Sequence, residues 1–226
     1  MNQTIISVHM PKVAGTSFLY QLKMLYGEKQ LLLDYNDDPS NPLSIINIDP
    51  NFYDAFPIKT IAPYKVVHGH FHPHKYIYVD SAFRLTFLRH PIGNVKSIYD
   101  YWTVQDKDFW DHPVFKYFKA EDLSLTRFAM IPKIRYLYTQ TYFGGFDMTQ
   151  FDFIGDFEKY DQELLRLGNR LGLVFDLKVR RNSTAEYYKD ESTFKLSRSA
   201  ISDVEYEELA QILIKDIEFY TAYKGQ

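Results

Sequence analysis

Residues 4–26 join an apolar β run, TIISVH (Thr4–His9), through a short loop to a helical stripe over Thr16–Tyr26 that carries Phe18, Leu19, Leu22, Leu25 and Tyr26. This unit constrains the fold strongly. A strand that is apolar on both faces must be covered on both, and an amphipathic helix needs such a face to cover. The pattern recurs along the chain. Tyr64–His68 and Phe83–Leu88 (FRLTFL) read as β runs, the latter followed by a helix from Ile92 to about Val104 with Pro91 in its first turn. Phe151–Ile154 reads as a further strand, leading to a helix over Tyr160–Leu171 closed by Gly172. The periodicity also predicts helices over Leu123–Thr141 and over Asp203–Tyr220, the latter capped by Ser202. Strands alternating with helices predict an α/β protein: a central parallel sheet flanked by helices in three layers. Ligands of such sheets sit at the carboxyl ends of the strands.

With 226 residues and no internal repeat or low-complexity linker, the chain is expected to form one domain over residues 1–226. The stretch 34–63 (DYNDDPSNP, then DPNFYDAFP) is rich in Asp, Asn and Pro and reads as a long irregular loop, a candidate lid or substrate loop. There is no cysteine, which excludes disulfides, thiolate metal sites and a cysteine nucleophile. The net charge of −3 argues against a general nucleic-acid binder but permits a local basic pocket. No apolar run approaches membrane-spanning length, and residues 1–10 lack a signal-peptide pattern, so the chain reads as cytoplasmic without a membrane span.

Three segments carry chemistry. In the first, the strand ending at His9 runs into Met10-Pro11-Lys12-Val13-Ala14-Gly15-Thr16-Ser17-Phe18 and then a helix. Backbone N–H groups and a helix N-terminus converge there and favour an anion. Gly15 is expected to let the backbone approach it, Thr16 and Ser17 to add hydroxyls, and Lys12 to add a positive charge. A nucleotide-triphosphate loop would place Lys after the last glycine, and here it precedes it. The alternative is a plain Ser/Thr-capped helix with a surface lysine. In the second, Arg89 follows the strand FRLTFL and Ser97 lies about two turns into the next helix. A guanidinium fork suits a phosphate monoester, although Arg89 could equally cap a helix. In the third, His68, His70, His72 and His74 alternate in HGHFHPH, compatible with a catalytic histidine, a metal site or neither.

Taken in order, these segments resemble the sulfotransferases that use 3′-phosphoadenosine 5′-phosphosulfate, above all the carbohydrate branch with the heparan sulfate 2-O- and 6-O-sulfotransferases. The resemblance spans roughly residues 4–220. It rests on His9-Met-Pro-Lys12-Val-Ala-Gly-Thr16-Ser17-Phe18, on Leu88-Arg89-His90-Pro91 through Ser97-Ile-Tyr99, on the HGH segment, and more softly on Phe153–Tyr160 and Arg181-Asn182-Ser183-Thr184. Val13 stands where the family has Ser or Thr, and His90 where it commonly has Asp.

The resemblance implies a P-loop-like fold and a sulfuryl donor held by Lys12, Val13, Ala14, Gly15, Thr16, Ser17 and Phe18 at its 5′-phosphate, by Arg89 and Ser97 at its 3′-phosphate, and by Arg181. It implies Lys12 and His70 as catalytic groups, His70 as general base, His68 beside it, and no metal. The acceptor would be a hydroxyl, on a carbohydrate or small glycoside. Two rivals stay open: a nucleotide kinase on a related fold, and a metal-binding module built on the histidine run. The chain has 19 Tyr and 18 Phe, and those between residues 71 and 118 are expected to line the acceptor cleft.

Overall fold

The computed structural model describes residues 3–41, 43–49, 51–179 and 200–226. Its centre is a five-stranded sheet formed by β1 (Ile5–Val8), β2 (Leu31–Leu33), β3 (Val66–Gly69), β4 (Phe83–Leu88) and β5 (Phe153–Asp156). The order is β2-β3-β1-β4-β5 and every neighbouring pair is parallel. Every residue of β1, β3 and β5 is buried, which explains why these strands read as continuous apolar runs.

Helix α1 (Gly15–Tyr26) carries the chain out of β1 toward β2, whereas the later connections run back across β1 to β4 and β5. Parallel crossovers are right-handed, so connections running in opposite directions cover opposite faces. The three-layer arrangement follows, with β1 at the centre and all carboxyl ends along one edge.

Several elements differ from the sequence expectation. β2 is a three-residue edge strand whose Leu-Leu-Leu run carries no alternation to reveal it. The helix expected over Leu123–Thr141 is broken. Leu125–Ala129, capped by Ser124, ends before Pro132, whose missing N–H forces a restart at Pro132–Arg135. A π-helical turn, Leu137–Tyr142, follows. The C-terminal helix is likewise two helices, Asp203–Ile212 and Ile214–Tyr223, with Ser202 Oγ accepting from the Glu205 N–H as expected. A helix over Pro113–Ala120, capped by His112, lies where only an aromatic cluster was read. The helix after β4 spans Pro91–Thr103; we call it α4, with α2 and α3 the short turns Ile45–Ile48 and Phe52–Ala55.

Those two turns lie in the 34–63 segment, which is pinned from beneath. Asp37 accepts from Ser44 Oγ at 2.6 Å and Tyr53 Oη at 2.5 Å, and Asp34 accepts from Tyr76 Oη at 2.7 Å and meets Lys75 Nζ at 2.7 Å. Both carboxylates are buried.

Asp216, 1% exposed, holds the π-helical turn in place. Its carboxylate accepts from the Tyr138 N–H at 2.8 Å, the Thr139 N–H at 3.0 Å and Thr139 Oγ1 at 2.7 Å. Burial pushes the Asp216 carboxyl pKa up, against these bonds. Asp216→Ala would leave buried donors without an acceptor and should cost about 2–4 kcal/mol of unfolding free energy. Urea titration of the variant checks this, and a loss below about 0.5 kcal/mol would show that water replaces the carboxylate.

Candidate functional site

The chain leaves β1 at His9 and turns sharply. Lys12 and Ala14 both take left-handed backbone conformations, φ 62° and 59°, on either side of Val13. Such conformations are strained in residues with a Cβ and persist where neighbours enforce them. Here the neighbours are identifiable. Asn94 Nδ2 on α4 donates to the Pro11 carbonyl at 2.8 Å, and Arg89 Nη1 donates to the Lys12 carbonyl at 3.1 Å. The curled loop leads directly into α1, whose N-terminus has no acidic residue in its first turn and no side-chain cap. Exposed N–H groups, the helix dipole and Lys12 therefore bias one spot toward an anion.

Arg89 emerges from the end of β4. Its guanidinium carbon lies 4.8 Å from the Phe157 ring centroid, and its Nε is 4.0 Å from Glu158 Oε1 and has no hydrogen-bond partner. Tyr138 Oη fixes the backbone there, donating to the Arg89 carbonyl at 2.7 Å and accepting from its N–H at 3.2 Å. Lys12 Nζ sits 4.4 Å above the Tyr101 ring. Burial, reinforced by the nearby Arg89 and opposed by Asp100, brings the Lys12 pKa down to about 8. Burial also lowers that of Arg89. Ser97 lies on the same helix as Tyr101, one turn earlier.

The histidine run does not act as one face. His68 is 1% exposed beneath the sheet edge, its Nδ1 2.8 Å from Ser7 Oγ, and burial lowers its pKa to about 3. His72 Nε2 donates to the Gly144 carbonyl at 3.0 Å, and His74 Nε2 meets Asp54 at 2.7 Å. His70 alone of the four lines the cleft. Its Nδ1 lies 2.6 Å from the His9 carbonyl, which can only accept, so Nδ1 carries the proton and the Nε2 lone pair is left as the basic site. Burial lowers the His70 pKa, and Asp38 opposes this. Among the described residues no group of three or more His, Asp or Glu side chains could hold a metal ion.

His9 completes this corner. Its ring stacks on His70 at 4.5 Å and 21°, and on His68 at 5.0 Å and 15°. A Cβ on Gly15 would fall 1.7 Å from His9 Nε2. Gly15 therefore also makes room for an imidazole.

These groups open on one cleft of ≈ 1340 Å³. Of the residues singled out in the sequence, Lys12, Ala14, Gly15, Thr16, Ser17, His70, Arg89 and Ser97 line it. Val13 and Phe18 are 3% and 2% exposed and belong to the core, and the Phe18 N–H donates to the Ala14 carbonyl at 2.9 Å, which leaves the Val13 backbone as the part of the pair that could serve a ligand. His68 lies behind the cleft wall, and Arg181 lies outside the described residues. The aromatic expectation needs correction. Phe71, Tyr76, Phe115 and Phe118 are core, whereas Tyr101, Trp102 and Trp110 line the cleft. Tyr35 and Asp38 of the 34–63 segment form an opposite wall with Tyr142. Sequence reading passed over Asp38 and Tyr142, whereas Tyr101 falls among the aromatic residues expected here and Glu158 in the Phe153–Tyr160 segment. Tyr101 lies four residues after Ser97, on the same helix face.

No protein-family model and no curated protein matches the chain. Two solved structures align with most of it. Mouse sulfotransferase SULT7A1 complexed with PAP is 10% identical over 98% of this chain and 89% of its own, with a TM-score of 0.43. A sulfotransferase from Alicyclobacillus acidocaldarius is 13% identical over 97% and 95%, with a TM-score of 0.46. At that level of similarity, the functional reading rests on the cleft itself.

Because the pKa of Lys12 in the folded chain is lowered from 10.5 to about 8, its charge opposes folding. The penalty is complete below pH 8 and fades as pH rises toward 10.5. Lys12→Met should therefore melt at a higher temperature than the wild type at pH 7, with the difference shrinking through that window. Calorimetric scans at several pH values read this directly, and a variant less stable at pH 7 would contradict the electrostatics described.

Proposed function

We propose that this protein is a sulfotransferase, transferring a sulfuryl group from 3′-phosphoadenosine 5′-phosphosulfate to an acceptor hydroxyl. The observation that carries the reading is the arrangement of two half-buried cations, Lys12 and Arg89, around one curled anion-binding loop, with the Nε2 lone pair of His70 in the same cleft. A donor with phosphates on both ends of a nucleoside needs two cationic anchors, and a hydroxyl acceptor needs a base.

The amides of residues 14–17, with the Thr16 and Ser17 hydroxyls, would hold the 5′-phosphate, and Arg89 with Ser97 the 3′-phosphate. In the transfer, the bond between sulfur and the phosphate oxygen breaks as the acceptor oxygen forms a new bond to sulfur. The acceptor proton passes to His70 Nε2. Lys12 offsets the charge growing on the departing phosphate oxygen. The cleft exceeds the ~300–1,000 Å³ usual for a single small ligand, as two bound substrates require. Tyr35, Trp102 and Trp110 on its walls offer faces on which a sugar ring could stack, which supports a carbohydrate or small glycoside as acceptor.

Calorimetry with the product nucleotide, 3′-phosphoadenosine 5′-phosphate, tests the reading. It should bind well in preference to ATP. Arg89→Ala should weaken it ~10–150-fold, the worth of a lost charge-assisted contact, while affinity for adenosine 5′-phosphate changes little. Equal losses for both nucleotides would mean that Arg89 does not read the 3′-phosphate. Tighter binding of ATP would favour the kinase. His70→Ala should keep product-nucleotide affinity and lose ~10²–10⁴-fold in turnover of labelled donor.

A further inference from the structure

Both ring nitrogens of His9 are buried and have no hydrogen-bond partner. That is a costly way to keep a polar ring, because a leucine or phenylalanine would carry no such atoms. The ring is held by its faces, between His70 on one side and His68 on the other. The edge bearing Nε2 occupies the space that a Cβ of Gly15 would take. The backbone of the same residue accepts the Nδ1–H of His70. One residue thus touches the base twice and the anion loop once.

We propose that His9 is a positioning residue. Its imidazole, wedged between those of His68 and His70 and seated over Gly15, fixes the ring plane of the base, shields it from water and couples its position to the anion-binding loop. The catalytic meaning of this inference rests on the sulfuryl-transfer reading. Its structural content does not.

His68, on the far face, cannot be displaced to make room. Ser7 holds its Nδ1, and β3 places it opposite Ser7 in the sheet register. Any displacement of His9 is therefore transmitted to His70. The titratable groups facing His70 are His9 after β1, Tyr35 and Asp38 in the 34–63 segment, and Tyr142 on the π-helical turn, with His68 beyond His9. Burial, to which the His9 ring contributes, disfavours the imidazolium, while Asp38 and the bond to the His9 carbonyl favour it.

The test is an NMR titration of the His70 Cε1–H resonance in the protein without nucleotide. The wild-type midpoint should lie below the ordinary 6.5. His9→Ala should raise it by about one unit as water reaches the bared ring face. Gly15→Ala, which drives the His9 ring from its seat, should raise it too. The double variant should shift no further than His9→Ala alone, because the added methyl then meets no ring. His9→Asn supplies the same reading should the alanine variant fail to fold. A His70 midpoint unmoved by His9→Ala, or shifts that add in the double variant, overturns the proposal. In turnover, the acid limb of kcat should move to higher pH with the NMR midpoint, which a loss of folded protein would not produce. If the wild type transfers no sulfuryl group while the NMR shifts appear, the functional reading fails and the role of His9 in positioning His70 stands.

Discussion

The parallel pairing of β1 with β3 on one side and β4 on the other is the constraint on which the site depends. Val8 lies opposite both Gly69 and Thr86. Two further bonds lock this register: the His9 N–H donates to the Gly69 carbonyl at 2.8 Å, and Thr86 Oγ1 donates to the Val8 carbonyl at 2.9 Å. The next residues out of the sheet are then His9 and His70, side by side, with Arg89 at the end of the longer β4. A one-residue slip in either pairing would turn these side chains to the other face. Gly69 serves the same register, since a Cβ there would fall 1.8 Å from the Asp34 carbonyl oxygen at the end of β2.

That geometry explains how a chain with net charge −3 presents a cationic pocket. Lys12 and Arg89 come from different strand ends and are brought together by the hydrogen bond from the guanidinium to the Lys12 carbonyl. Nearby acids neutralise them only in part. Asp100 is engaged by Lys96 at 2.7 Å, and Glu158 stands 4.0 Å from Arg89. Burial lowers the pKa of both cations, so the pocket holds charge that an anion would stabilise.

The strand–loop–helix unit at the N-terminus, the three major strands after it and the helix Tyr160–Leu171 were legible because each carries a strong local signal: a short apolar run or a clear 3.6-residue stripe. The breaks were not. Pro132 interrupts a stripe that otherwise continues, and the π-helical turn depends on Asp216, distant in sequence. Lys12, His70, Arg89 and Ser97 could be proposed from motif spacing. His68 could not be separated from His70 by alternation alone, because Gly69 ends the strand and the chain bends before His72. The aromatic residues between 71 and 118 divide between core and cleft according to the side of the chain each occupies, and composition carries no information about sides.

The polar residues inside the sheet complete the argument. Ser7, His68 and Thr86 are each essentially inaccessible, and they lie on the three central strands. Filling these positions with Val or Ile would have been simpler for a core. Instead Ser7 holds His68, His68 backs His9, and His9 backs His70 at the cleft. The imidazoles of His68, His9 and His70 stack nearly parallel from within the sheet to its carboxyl edge, and burial disfavours a charge on each. This stack can hold the His70 imidazole in one tautomer without placing a charge in the core. On this view the polar atoms of TIISVH and HGH are the support of the site, carried through a core that is otherwise apolar.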